Sequence, residues 1–382
     1  MKTLYIHIGT PKTGTTAIQN FCHNNEEVLH KKGYDYPILY TYYGRAKVRN
    51  AQFLHLTIYN RDTTDKKDRD IAEENRRITE GMQTIASLFE TYHNIILSDE
   101  GLWKATQKRR ASLWEELKEH GEKHGYQVKV IVYLRRQDEF VESWYNQRIK
   151  HELEQNNTLT WEEYSRDKEK NCSPDYYQRI KAIERVLGKE NIIVRRYNFA
   201  EFKNGMIQAD FLDAIGLEWT DEYEIIETDK NRNDRLQGNA LEFKRIINQM
   251  KDLSRAESRM FEKILLELSE QWGKQYPCRA MNQQEAMEFM KEFESDNQKL
   301  AEEYINDGKP LFTDRYKDNP KWDENNPYVL ENLLQFICTM QVEMMRNKKR
   351  FQEEELPSEI DRRIRNNRFT ARVKRVKKRI LK

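Results

Sequence analysis

The sequence lacks any apolar run near the roughly 20 residues that a membrane-spanning helix needs, so an integral membrane protein is not expected. It lacks paired cysteines: Cys22, Cys172, Cys278 and Cys338 are scattered, with no CxxC unit. That spacing argues against a zinc or dithiol centre and for reduced thiols. The eight histidines never fall in HExxH or HxH arrangements, so no metal site is expected. A secretory signal is missing too, because residues 3–8 form a short strand-like run that enters a Gly-bounded turn with no cleavage site after it. A cytoplasmic location is the expectation. Hydrophobic residues make up only 37% and charged residues 34%, which suits much solvated helix rather than a lipid-facing chain.

What is present is a rhythm. Short apolar, β-branched runs stand at 4–8, 94–97, 128–134 and 191–194, with a fifth near 34–39, and helical patterns separate them at 15–32, 71–92, 111–124, 137–151, 175–187 and 199–215. Buried strand, helix, buried strand predicts an α/β fold with a P-loop-like parallel sheet flanked by helices. Beyond residue 230 the strand signals stop. Segments 234–252, 255–272, 282–305 and 327–349 have helical spacing and predict an α-helical C-terminal extension, while 305–329, dense in Asn, Asp, Gly and Pro, reads as a long ordered loop. The expected organisation is a core over 1–230, a helical extension over 231–355 that completes or caps the site, and a basic tail over 356–382. Residues 40–70, with little periodicity, read as a flap over the site.

The stretch Gly9-Thr10-Pro11-Lys12-Thr13-Gly14-Thr15-Thr16 follows the first strand and opens the first helix. Backbone N–H groups and a helix dipole in that setting bind an anionic group. A triphosphate-binding loop would place a lysine directly after Gly14, where this chain has Thr15. Its lysine stands two residues before Gly14, where it suits a ligand with no γ-phosphate and a leaving bridge oxygen beside the loop. The plainer alternative is that Gly9 and Gly14 are turn residues and Thr10 or Thr13 caps a helix.

Pro11-Lys12-Thr13-Gly14-Thr15-Thr16 resembles the 5′-phosphosulfate loop, PK[ST]GTT, of the PAPS-dependent sulfotransferases, of bacterial carbohydrate type. The resemblance implies a sulfuryl donor, 3′-phosphoadenosine 5′-phosphosulfate (PAPS), with Lys12 on the bridging oxygen and Thr13, Gly14, Thr15 and Thr16 around the 5′-phosphate. It also implies an arginine at a later strand end and a serine eight residues on, both for the 3′-phosphate. Residues 130–147 (VIVYLRRQDEFVESWYNQ) carry Arg135 and Ser143 at that spacing. An arginine at a strand edge offers a planar fork for a phosphate dianion. Arg136 is adjacent and competes for the role, and both arginines also have Asp138, Glu139 and Glu142 as ordinary surface partners.

Transfer to a hydroxyl needs a base for the acceptor proton. Ser98, Asp99 and Glu100 end the strand at 94–97, and ligands of open α/β sheets sit outside such carboxyl ends. Glu100 is the first candidate, by similarity to sulfotransferases that use a glutamate. His55, inside the expected flap, is the second, since other members use a histidine and imidazole titrates near neutrality. The same string resembles a Walker B element, in which Asp99 would position Mg²⁺ for a nucleoside triphosphate-dependent kinase; or Ser98 or Asp99 simply caps the next helix. Trp103 and Trp144 are candidates to stack on adenine or a sugar, His7 to face the core or support the loop, and residues 229–235 to close over the nucleotide or to cap the helix that follows.

Residues 361–382 hold 11 Lys and Arg against one Asp, a net +10, which leaves 55 basic and 63 acidic residues elsewhere, a net −8. Phe369, Val373, Val376 and Ile380 recur at helical spacing within that basic sequence, so it reads as a binder of an anionic membrane surface or another polyanion, with a tail packed on the acidic body or a solvated, disordered end as the rival reading. A non-enzymatic membrane-surface protein is therefore the third functional class in play. No nucleic-acid module appears. The expected acceptor is a glycan or glycolipid, and the sulfotransferase mechanism requires no metal.

Overall fold

The computed structural model describes residues 1–39, 48–58, 69–105, 112–151, 157–226, 235–251 and 253–346. The expected tail at 356–382, residues 229–234 of the expected closing loop, and most of the 40–70 flap lie outside them.

Five parallel strands form one sheet: β1 (Lys2–His7), β2 (Tyr34–Asp35), β3 (Asn94–Ser98), β4 (Tyr126–Leu134) and β5 (Ile192–Arg196), in the order β2-β3-β1-β4-β5. A parallel sheet is covered on both faces, which is why its strands read as apolar runs rather than alternating ones. Leu4, Ile6, Ile95, Ile96, Leu97 and Val130 through Leu134 are all fully buried. The chain builds one side of β1 with β2 and β3, then crosses to the other side for β4 and β5. β1 is therefore the switch point, and ligands of open α/β sheets sit outside the carboxyl ends of the strands at such a point.

The helices are α1 (Thr15–Asn24), α2 (Glu26–Lys31), α3 (Ile71–Leu88), α4 (Leu102–Ala105), α5 (Leu113–His124), α6 (Gln137–Lys150), α7 (Trp161–Arg166), α8 (Lys168–Asn171), α9 (Tyr176–Leu187), α10 (Ile207–Ala214), α11 (Ala240–Ile247), α12 (Arg255–Gln275), α13 (Gln283–Lys291) and α14 (Glu294–Leu300). Five of their starts are capped by a short polar side chain. Asp70 accepts from the Glu73 N–H and Asp175 from the Gln178 N–H, while Thr160, Ser254 and Asn282 form capping boxes with the Glu three residues on.

The helix expected over 234–252 forms only as α11, the one expected over 282–305 divides into α13 and α14, and two others depart for reasons the structure shows. The helix expected over 15–32 breaks at Asn25, whose side chain turns away to donate to the Phe21 and Glu224 carbonyls and to accept from the Glu224 N–H. The break clips residues 221–226 to α1. The helix expected over 199–215 forms only as α10, because Asn204 takes a left-handed conformation within the preceding turn.

The chain divides into two compact units. Unit 1 holds residues 1–147, 159–233 and 281–318, with the sheet and a core in which Ile18, Phe21 and Cys22 of α1 meet Ile96, Ile131, Tyr133 and Phe211. Unit 2 holds 148–158, 234–280 and 319–382. Its core is Leu236, Ala240, Phe243, Ile264, Leu265, Trp272 and Phe336. A buried amide knot fixes its long connection, with Asn239 bonded to Asn326, Asn332 and the Trp322 ring N–H.

Candidate active site

The loop after β1 is stitched to the neighbouring strand. Thr10 N–H and Oγ1 both donate to the Tyr133 carbonyl, at 2.8 and 3.1 Å, and Tyr133 N–H donates to the Gly9 carbonyl at 2.6 Å. Gly9 and Gly14 have φ of +96° and +72°, and each is hemmed in. A Cβ at Gly9 would lie 2.8 Å from the Pro11 nitrogen and 3.1 Å from Glu100 Cβ, and one at Gly14 would lie 2.7 Å from Ile207 Cδ1. Only glycine fits either place. Between them Lys12 holds φ of +68°, a conformation that a non-glycine residue keeps only when its surroundings impose it.

No side chain caps α1. Its N-cap is Gly14, and Thr13 Oγ1 donates to the Thr10 carbonyl instead, so the plain capping role expected of Thr10 or Thr13 is not what the loop does. Among the described residues, no protein acceptor meets the backbone N–H groups of residues 13–16. A helix N-terminus with open donors, at the carboxyl end of the central strand, is an anion cradle. Pro11, which has no N–H, turns the chain into it.

Two cations border the cradle. Lys12 Nζ lies 3.4 Å from Gln147 Oε1 of α6, and Arg135 Nη1 lies 3.4 Å from the Lys12 carbonyl. Arg135 also pairs with Glu139 at 3.0 Å and lies 5.8 Å above the Tyr197 ring. Ser143 sits on α6, buried, and its hydroxyl makes no hydrogen bond among the described residues.

The neighbouring arginine is occupied elsewhere. Arg136 forms a two-pronged pair with Asp138 at 2.7 and 2.8 Å, donates to the Arg315 carbonyl at 2.7 Å, and stacks 4.2 Å from the Tyr316 ring. Arg196, at the end of β5, does the same farther along, binding Asp307 and the carbonyls of residues 309–311. Two strand-end arginines thus strap residues 307–316 to the sheet edge beside Arg135. The expected loop at 305–329 therefore has an anchor in its first half that its composition does not reveal.

The end of β3 is densely bonded. Asp99 is fully buried; Arg49 grips its two oxygens at 2.6 and 3.1 Å, and the Gly101 N–H donates to Oδ1 at 2.7 Å. His55 Nε2 lies 3.1 Å from the same oxygen, off the line of a hydrogen bond. Burial works to raise the Asp99 pKa, but the His55 ring and the Arg49 guanidinium outweigh it and hold the carboxyl below its ordinary value. Glu100 accepts from Gln19 Nε2 of α1 at 3.0 Å and lies 3.6 Å from Arg49 Nη1. Asp99 bonds the Gly101 N–H in the turn before α4, so it partly meets the capping expectation while it is also held by Arg49.

The described part of the expected flap is packed in. Asn50, fully buried, bonds the Pro37 and Ile96 carbonyls and the Ser98 N–H, and Ala51, Phe53 and Leu54 are buried with it. That anchoring brings Arg49 and His55 to the strand end. Sequence reasoning missed Arg49 and Gln19; the one available signal was the pattern Arg-Asn in a segment with several apolar residues, which does not point to residue 99.

His7 is a core residue. Its Nδ1 lies 2.8 Å from Ser98 Oγ, its ring packs edge-on to Tyr133 and Phe211, and burial lowers its pKa to about 3. Trp103, expected as a stacking platform, is instead buried against Arg179 and Tyr176 with its N–H toward the Ser173 carbonyl. Lys104 Nζ lies 5.3 Å over the half-buried Trp144 ring.

No protein-family model matches the chain. It is 30% identical over 179 residues to an uncharacterized protein of Archaeoglobus fulgidus, an alignment taking in 46% of this chain and 46% of that one, so the chain spans about half the length of the curated relative it matches. Among solved structures it is similar to a sulfotransferase from Alicyclobacillus acidocaldarius, with 15% identity, a TM-score of 0.34, and 59% of this chain and 86% of that one covered. That likeness is too loose to carry weight, and the α/β fold stands on the parallel sheet itself.

Proposed function

We propose that the protein is a sulfotransferase that moves a sulfuryl group from PAPS to a hydroxyl or amine of an acceptor, a glycan or glycolipid by preference. The observation that carries the reading is the cradle: open N–H donors of residues 13–16 at the switch point, with Lys12 and Arg135 both at its rim. Gly9 and Gly14 let the loop turn tightly against Glu100 and Ile207, which holds its backbone in this shape. The fit is to an anion with two separate phosphate-bearing ends rather than to a triphosphate with a metal.

Bound there, PAPS supplies an activated sulfuryl group on a phosphate leaving oxygen. The N–H groups of residues 13–16 hold the 5′-phosphate, and Lys12 stabilises the charge that develops on the bridging oxygen. Arg135 exchanges Glu139 for the 3′-phosphate, with Ser143 beside it. The S–O bond to the bridging oxygen breaks with its electron pair leaving on the phosphate, a new S–O bond forms to the acceptor, and the acceptor proton passes to Glu100 or His55. Glu100 adjoins the loop at Gly9 and is steadied by Gln19, which favours it over His55.

The kinase reading needs Asp99 for Mg²⁺, yet both Asp99 oxygens are held by Arg49. The deciding experiment is a thermal-shift titration with 3′,5′-phosphoadenosine without metal, beside ATP with Mg²⁺. Saturation to about 100 times the dissociation constant adds roughly 2.7 kcal/mol of stability. The bisphosphate is expected to stabilise the native chain and not Lys12→Ala or Arg135→Ala; stabilisation by Mg²⁺-ATP alone would replace the sulfotransferase with the kinase.

A further inference from the structure

Unit 2 carries a surface that the proposed chemistry does not use. Its last described helix, over 329–346, has two apolar faces. One packs Val329, Phe336 and Met340 against the cluster around Trp272. On the other, Leu330, Leu333, Leu334, Ile337, Met344 and Met345 are all exposed, Leu330 to 65% and Met345 to 64%. At about 100° per residue these six share one stripe, roughly 22 Å long, with exposed Cys338 at its margin. Gln341 interrupts the stripe, and no charged residue lies within it. An apolar face of this extent marks an interaction site rather than ordinary surface.

The sequence that follows at once is basic. Arg346-Asn347-Lys348-Lys349-Arg350 leads on to residues 361–382 with their net +10. We propose that the stripe on helix 329–346 is a docking face for an anionic lipid surface, with the basic C-terminal sequence supplying the charge attraction. Lasting attachment of a protein that does not span the bilayer takes two signals, an apolar one and an electrostatic one. The stripe is the first and the basic sequence the second, adjacent in the chain. Among the described residues no helix is long and apolar enough to cross a membrane; the attachment proposed is at one face of the bilayer. A second copy on the stripe would bring two strongly basic segments together, at a cost in repulsion. The tail folded back on the stripe would find only Glu331 and Glu343 on this helix to balance its charge. The proposal is independent of the sulfuryl-transfer reading.

The test uses the full chain and vesicles of phosphatidylcholine, alone or with phosphatidylglycerol. In a Cys278→Ser background, Cys338 carries an environment-sensitive fluorophore, and brominated lipids report contact by quenching it. Flotation with the anionic vesicles only, quenching by the brominated lipid, and about tenfold or weaker binding of an Ile337→Glu/Met344→Glu double variant are expected. Both side chains are exposed, so an unchanged thermal transition shows that the variant is folded. Binding that the double variant leaves intact would overturn the proposal, since the basic sequence alone would then account for it. Absence of vesicle binding would overturn it too: loss of a dimer in the variant by light scattering would assign the stripe to a second copy, and a shielded label in a monomer would assign it to the tail.

Discussion

The ends of β1 and β3 lie side by side on one sheet edge and are built in opposite ways. Beyond β1 the chain holds its glycines and Lys12 in left-handed conformations, and its backbone donors at 13–16 face no protein acceptor among the described residues. Beyond β3 the polar groups are engaged: Asp99 by Arg49 and Gly101, Glu100 by Gln19, Ser98 by His7 and Asn50. An unmade set of hydrogen bonds is a place for a ligand's charge, whereas a closed network holds side chains still. The first end is suited to bind and the second to orient.

That contrast can be broken from either side. The largest effect is expected at β3. Asp99→Ala removes a fully buried carboxylate, leaves the half-buried Arg49 with Glu100 at 3.6 Å and the Gly101 N–H without its acceptor, and should cost about 3–5 kcal/mol, read from denaturant unfolding; a loss under about 1 kcal/mol would show the network to be incidental. Next is acid. His7 has a folded pKa of about 3 against an ordinary 6.5, so the unfolded chain binds a proton that the folded one refuses. The stability this contributes is complete above pH 6.5 and is lost as pH falls toward 3, on the order of 4 kcal/mol at most. His7→Gln should flatten the melting temperature over that window if the slope belongs to His7.

At β1 the expected effects are on ligand rather than stability. Lys12→Ala should slow sulfuryl transfer by about 10²–10³ with little change in melting temperature, and an equal fall in both would make Lys12 a structural residue. The smallest effect sharpens the comparison between neighbours. Arg135→Ala should weaken 3′,5′-phosphoadenosine binding by about 10- to 100-fold in calorimetry while the fold holds. Arg136→Ala should instead lower stability by freeing residues 313–316 from Asp138's partner, and a matching loss of affinity in both variants would mean the two share one role.

The fold was legible because parallel strands declare themselves as apolar runs and because a Gly-bounded turn between strand and helix has few other uses. Strand β2 is only two residues long, at the sheet edge where packing asks for less. Where the helix expected over 15–32 failed, a single polar side chain was responsible. Asn25 breaks one helix by bonding a segment 199 residues away, and no local pattern contains that partner.

The sequence by itself determined the sheet, the loop and the position of its lysine, since periodicity and the steric needs of glycine act over a few residues. Only the tertiary structure decided which of two adjacent arginines stays beside the loop, that Arg49 grips Asp99, and that Trp103 is core. Each of these depends on what the chain brings back from 50 or more positions away, and side-chain pairing at such range is set by packing and not by neighbours in sequence.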